Sequence, residues 1–133
     1  MIGLDTNILV RYIVRDDPVQ TEAATRLIET QCTMDDPGFI SLVVLAELTW
    51  VLERAYKYPK PLVIAVLSKL LSVVELVVEE SDLARASLRN YKNGNADFPD
   101  YLIGGIHQSK GCITTMTFDR RASRSPWHTL ADS

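Results

Sequence analysis

The apolar positions of this chain come in short runs separated by polar breaks. "MIGL" runs into an acid, a threonine and an asparagine, and the apolar pattern resumes as "NILVRYIV". The first run has the length of a buried strand, and the second has the three-to-four spacing of a helix. Asp17-Pro18 then makes a helix start, with the acid as cap and proline in the first turn, and "VQTEAATRLIE" carries that helix to about Glu29. "CTMDDPG" is a turn, "FIS" a second short strand, and Ser41 a cap for "LVVLAELTWVLERAY". Tyr58-Pro59-Lys60-Pro61 breaks that helix and begins another, "LVIAVLSKLL". "VVELVV" is strand-like. Ser81 caps "DLARASLRNYKN", and Gly94 ends it. "DFPDYLIGGIHQSK" reads as a helix, "CITTMTF" as a last buried strand, and residues 123–133 as a polar tail holding Trp127. Strands that alternate with helices predict an α/β protein whose parallel strands are covered on both faces.

At 133 residues, 47% hydrophobic and 23% charged, the chain fits one domain, residues 1–133, with a sizeable core. No internal repeat, low-complexity segment or linker interrupts it. The longest apolar stretches are broken by Glu, Ser or Lys, short of the roughly 18 uninterrupted apolar residues that cross a membrane. The N-terminus has no basic region before an apolar one, so no leader peptide is expected. Cys32 and Cys112 match no zinc spacing, and a reduced, cytoplasmic setting is the simplest expectation. The net charge of −3 is the wrong sign for coating nucleic acid by bulk attraction. It is compatible with acids gathered around a cation in a site that cuts phosphates.

In open parallel sheets, ligands bind beyond the carboxyl ends of the strands. Asp5 falls at such an end, Asp119 follows the last strand, Asp97 and Asp100 open a helix, and Glu47 lies in the second turn of another. All five can converge on one rim. Each has a plainer reading. Asp5, Asp97 and Asp100 suit helix N-termini, where acids are stabilising by about 0.3–2 kcal/mol, and Asp119 suits a surface turn. On a helical projection Val44, Leu45, Leu48, Val51, Leu52 and Ala55 define the buried stripe. Glu47 then falls on its border, half-buried, with Arg54 or Arg11 as alternative partners, and Glu53 falls opposite it in solvent. Carboxylates about 5 Å apart repel by roughly 3 kcal/mol per pair at an effective dielectric of 20. Protonation, paired bases or a bound cation would each relieve that. All-oxygen ligands suit Mg²⁺ or Mn²⁺.

"LDTNILV" at 4–10, Glu47 within "LAELTWVL", "ADFPDYLIGGIH" at 96–107 and "TFDRR" at 117–121 resemble, in order and over nearly the whole chain, the PIN domain. The likeness is greatest to ribonuclease toxins of VapC type. The resemblance implies a three-layer α/β/α sandwich around a short parallel sheet. It also implies a metal-dependent endoribonuclease held silent by a small antitoxin protein, the toxin of a type II toxin–antitoxin pair. On it Asp5, Glu47, Asp100 and Asp119 match the family's four acids, Asp97 a frequent extra acid, Thr6 and Asn7 the polar pair after the first acid, and Thr117 the hydroxyl before the fourth. Gly104-Gly105 departs from the small alanines more usual there and should loosen that helix by roughly 1 kcal/mol per glycine.

The expected reaction is hydrolysis of an RNA phosphodiester. Asp5, Glu47 and Asp100 would hold Mg²⁺, with Asp97 or Asp119 assisting, Thr6 and Asn7 orienting the ligands, and Arg11, Arg15, Arg120, Arg121 and Arg124 gripping the strand. A solvated surface is the plainer reading of those arginines. A homodimer is a further expectation, since "NILVRYIV" and "LVIAVLSKLL" offer apolar faces that serve equally as core. The alternative is a non-catalytic PIN-like module that binds RNA or protein. A dehalogenase-like phosphatase would need an acid at position 7, where Asn stands, and a receiver domain would carry its acid on a more central strand.

Overall fold

In a computed structural model, residues 1–131 are described and form two compact units, Met1–Ser81 and a second that begins at Asp82. The first holds β1 (Ile2–Gly3), α1 (Thr6–Val14), α2 (Pro18–Gln31), β2 (Gly38–Ile40), α3 (Leu42–Arg54), α4 (Lys60–Leu70) and β3 (Leu76–Val78). The strands form a parallel sheet in the order β1-β2-β3, with Ile2 opposite Gly38 and Gly38 opposite Leu76. Parallel neighbours cannot be joined by a tight turn, so helices make each crossover. The α/β class with a short parallel sheet is therefore the one that the alternation of elements predicts.

Local chemistry sets the helix starts. Asp17 accepts from Gln20 N–H at 3.0 Å and Pro18 follows it; Ser41 accepts from Val44 N–H at 3.2 Å. The core of this unit is aliphatic: Leu9, Ile40, Leu45, Leu48, Leu52, Val63 and Leu67 are fully buried. Gly38 lets the central strand close on its neighbours, because a Cβ there would stand 2.8 Å from Cys32 Sγ and 2.9 Å from Leu4 Cδ1. The strand expected over "VVELVV" is shorter, Leu76–Val78, because Val73 N–H already bonds back to Lys69 in the turn that ends α4.

The second unit holds α6 (Phe98–Ser109), a 3₁₀ turn (Ala122–Arg124), and the strands β4 (Thr115–Thr117) and β5 (His128–Leu130). The helix α5 (Ser81–Asn93) begins at the boundary. β4 and β5 pair in parallel, Thr115 opposite His128 and Thr117 opposite Leu130. Two expectations are corrected here. Residues 123–131 are not a polar tail: Ser125 and His128 are buried and β5 is a strand. Asp132 and Ser133 lie outside the described residues. Nor is "CITTMTF" buried. Ile113, Met116 and Phe118 are exposed, because the covered side of this two-stranded pair carries Thr115 and Thr117. The core is aromatic, with Tyr91 edge-on to Phe98 at 5.7 Å and Tyr101 beside them.

The Gly104-Gly105 pair in α6 has a packing reason that propensity does not show. A Cβ on Gly104 would lie 2.5 Å from His128 Cε1 and 3.0 Å from Trp127 Cβ, so the glycine admits the chain that leads into β5. Among the described residues no helix is long and apolar enough to cross a membrane.

Candidate active site

Asp5 follows Leu4, whose N–H continues the β1 ladder to Phe39 O at 2.9 Å. The acid thus stands at the carboxyl end of a strand and is the N-cap of α1, its Oδ1 accepting from Thr6 N–H at 2.7 Å. The next hydroxyl reaches across the unit: Thr6 Oγ1 donates to Glu47 Oε1 at 2.7 Å. Thr6 therefore touches both acids, and Asp5, Thr6 and Glu47 form one polar group at the start of α1. Asn7 beside them is exposed.

Glu47 itself is exposed, not half-buried, and Glu53 is the more covered of the two. The buried residues of α3 are Leu42, Leu45, Leu48, Thr49 and Leu52. At 3.6 residues per turn that stripe puts Glu47 roughly 160° from its centre and Glu53 roughly 75° from it. Val51 and Ala55 had drawn the expected stripe to the wrong side; one is half-covered and the other exposed. Neither expected arginine serves Glu47 as partner. Arg11 bonds Asp16 at 2.9 Å, Tyr56 Oη at 3.0 Å and, through Nε, Gln20 Oε1 at 2.6 Å, whereas Arg54 lies over the Trp50 ring at 5.0 Å. The Tyr56 hydroxyl, and after it Arg11, holds the Asp16 carboxyl below its usual range. Arg15 ends α1 in the left-handed region and is exposed.

The other three acids belong to the second unit. Asp97 is the N-cap of α6 and Asp100 its third residue, whose Oδ2 accepts from Asp97 N–H at 3.2 Å. Asp97 is exposed and Asp100 is half-buried. Burial first of all raises the Asp100 carboxyl above its ordinary range. The charges of Asp119 and Asp97 push the same way, while the Asp97 N–H and His128 oppose it. Asp119 accepts from Arg121 N–H at 2.8 Å and Ala122 N–H at 3.0 Å, and so pins the 3₁₀ turn. Its own N–H donates to Thr117 Oγ1 at 3.0 Å, so the threonine before the fourth acid orients it. Arg120 and Arg121 are exposed beside it.

His128 is the residue that sequence reasoning missed. It is buried, its Nδ1 lies 2.5 Å from Ser125 Oγ, and it interacts electrostatically with both Asp100 and Asp119. Burial pushes the imidazole below its ordinary range, and Asp100 pulls it back. No local signal marked it, because "WHTL" runs apolar, polar, polar, apolar and lacks the alternation of a strand.

Asp5 and Glu47 in the first unit, and Asp97, Asp100 and Asp119 in the second, offer oxygen ligands only, the donor set of a hard divalent cation. Within neither unit, among the described residues, do three His, Cys, Asp or Glu stand together as a formed metal cluster. The fit rests on donor chemistry and on the charges of Asp97 and Asp119 facing Asp100, a repulsion that a cation would relieve.

Against known families, the model described as the PIN domain matches residues 2–127 and so runs through both units. A comparison with curated proteins finds no match.

Proposed function

The chain belongs to the PIN domain family, a nuclease-type fold, and on that premise we propose that it is a metal-dependent endoribonuclease, the toxin of a type II toxin–antitoxin pair. The observation that carries the reading is the placement of Asp5. A strand end delivers it, a helix start holds it, and its neighbour Thr6 ties Glu47 to the same spot. A cap alone would not require a second acid held at the same spot.

In this reading Asp5, Glu47, Asp97, Asp100 and Asp119 would each offer carboxylate oxygens to Mg²⁺ or Mn²⁺, which would supply Lewis acidity toward water and the phosphate oxygens. The remaining work belongs to the chain. Thr6 fixes one oxygen of Glu47, and Thr117 fixes the backbone of Asp119. Asn7 orients ligands beside them. In the first turn of α1 the N–H groups of Thr6 and Ile8 bond to Asp5, which leaves that of Asn7 to meet a phosphate. Arg15, Arg120 and Arg121 contact RNA phosphates. Arg11 stabilises the link between α1 and α2 through Asp16 and Gln20, and reaches the strand only indirectly. A small antitoxin covers the site, and a homodimer uses apolar area left open on α3 and α4, where Val43, Trp50 and Leu62 are exposed.

Asp5→Asn is the decisive substitution. Asparagine caps a helix as well as aspartate, so the variant should melt with wild type. Mg²⁺-dependent RNA cleavage should fall by more than the roughly 10–100-fold that follows from disturbing a metal ligand's supporting partner. Excess EDTA should stop the wild-type enzyme and added Mg²⁺ restore it. Full cleavage by Asp5→Asn, or cleavage indifferent to EDTA, would leave a binding module or a different chemistry.

A further inference from the structure

The second unit contains a cavity of about 320 Å³ that the acids do not explain. It lies between the end of α5 with the residues that follow it and the segment that carries the 3₁₀ turn. Its polar lining comes from Arg121, Arg124, Asn90, Asn93 and Asn95, with Pro126 as an apolar edge. No carboxylate lines it, in a chain whose net charge is −3. Among the described residues neither Arg121 nor Arg124 forms an ion pair.

The cavity is built, not incidental. Tyr101, fully buried, forms one wall, and its hydroxyl accepts from Ala96 N–H at 3.2 Å. Gly94 lets the chain close on that wall, since a Cβ there would fall 2.0 Å from the Tyr101 hydroxyl. The opposite side is held by Asp119, which accepts from the N–H groups of Arg121 and Ala122. The residue that positions the two arginines is thus one of the acids of the proposed site.

The chemistry selects the ligand class. Two unpaired guanidinium groups provide forked donors that match phosphate oxygens. Asparagine amides carry a donor and an acceptor side by side, the pattern that pairs with a base edge. A free phosphate would leave the amides of Asn90 and Asn95 without purpose, whereas Asn93 Nδ2 already donates to Arg89 O at 3.0 Å; an acidic peptide would need donors only. The volume is at the lower end of ligand pockets, about 300–1,000 Å³, which admits one nucleotide and not a duplex. Unpaired bases of single-stranded RNA are read in this way, on their edges and against planar side chains.

We infer that this cavity binds one nucleotide of single-stranded RNA, its phosphate on Arg121 and Arg124 and its base edge on Asn90 and Asn95. The inference rests on the endoribonuclease reading for the choice of RNA as ligand. It adds to that reading a place where the strand is gripped and its sequence sampled.

The test is binding, separated from cleavage. Full-length protein is titrated into fluorescent 2′-O-methyl octanucleotides of A, C, G or U in EDTA, and anisotropy is followed over a range of salt. Arg121→Ala/Arg124→Ala should weaken binding by at least about tenfold. It should also lower the salt slope by about 0.7, the value for one phosphate neutralised on a single strand. Asn90→Ala/Asn95→Ala should keep the salt slope and level the preference among the four bases. Both arginines are exposed, so thermal melts of the double variant should overlay wild type. Unchanged affinity and salt slope in the arginine variant would overturn the inference. So would an acidic octapeptide that binds with the same arginine dependence while the oligonucleotides do not. The hydrolytic reading fails separately: retained cleavage by Asp5→Asn sinks it without altering how the arginine variant binds.

Discussion

Asp5 and Asp100 both sit in the first turn of a helix and both accept a backbone N–H there, yet their surroundings differ. Asp5 is exposed, one residue beyond a strand, with the hydroxyl of Thr6 reaching past it to Glu47. Asp100 is half-buried, faced by Asp97, Asp119 and His128, in a frame of aromatic rings and close-packed glycine. The same local device, a carboxylate at a helix start, therefore yields an open acid in one unit and a perturbed one in the other. A helix terminus supplies donors; only packing decides how much water the carboxylate keeps and which charges it meets.

The largest test of that difference removes the frame. Phe98 is fully buried one residue after the α6 cap and edge-on to Tyr91. Phe98→Ala should cost about 3–5 kcal/mol, read from urea denaturation. A loss below about 1 kcal/mol would mean that the aromatic cluster does not hold the start of α6.

A smaller effect separates two glycines. Alanine at Gly104 gains about 1 kcal/mol of helix propensity. It must also fit a methyl against the Trp127 Cβ and a His128 ring held by Ser125, and such overpacking typically costs about 1–3 kcal/mol. Gly104→Ala should come out destabilising by up to about 2 kcal/mol. Gly3→Ala in β1, where a Cβ meets nothing within 4 Å, should be neutral or slightly stabilising. Equal effects at the two positions would remove the close approach of β5 to α6 as a structural cause.

The smallest effect is in the pH dependence of stability without metal. The folded state holds His128 below its ordinary value of 6.5, so the unfolded chain binds the proton more readily. That contribution is complete above 6.5 and is lost as pH falls through the depressed folded value. Asp100 has the opposite sign. Its folded value is raised above 3.8, so its penalty is present at neutral pH and is relieved as the carboxyl takes up a proton on acidification. Urea midpoints in EDTA should therefore decline from neutral pH into the range below 6.5, and His128→Asn should flatten that decline. A slope unchanged by His128→Asn would separate the histidine from the acids.

Much of this was legible in the chain. The strand–helix alternation, the caps at Asp17 and Ser41, and the helix opened by Asp97 follow from local signals: capping oxygens, proline in a first turn and apolar spacing. Asp5 at a strand end was legible for the same reason, because a short apolar run followed by a capping acid has few other meanings. Glu47 was legible as a candidate but not its environment. An apolar stripe with valines on both flanks leaves its centre ambiguous, and packing against α1 and α4 chose the side that carries Leu45, Leu48 and Leu52.

What tertiary structure alone decided lies mostly after residue 100. The glycine pair reads as a weak helix until Trp127 and His128 pack on it. A short polar segment reads as a tail until β4 offers it a ladder. Periodicity and capping act within a few residues, so they can be read in order along the chain. The meeting of His128 with Asp100, and the closing of a loop around Arg121 and Arg124, depend on contacts between distant residues, and no local spacing encodes those.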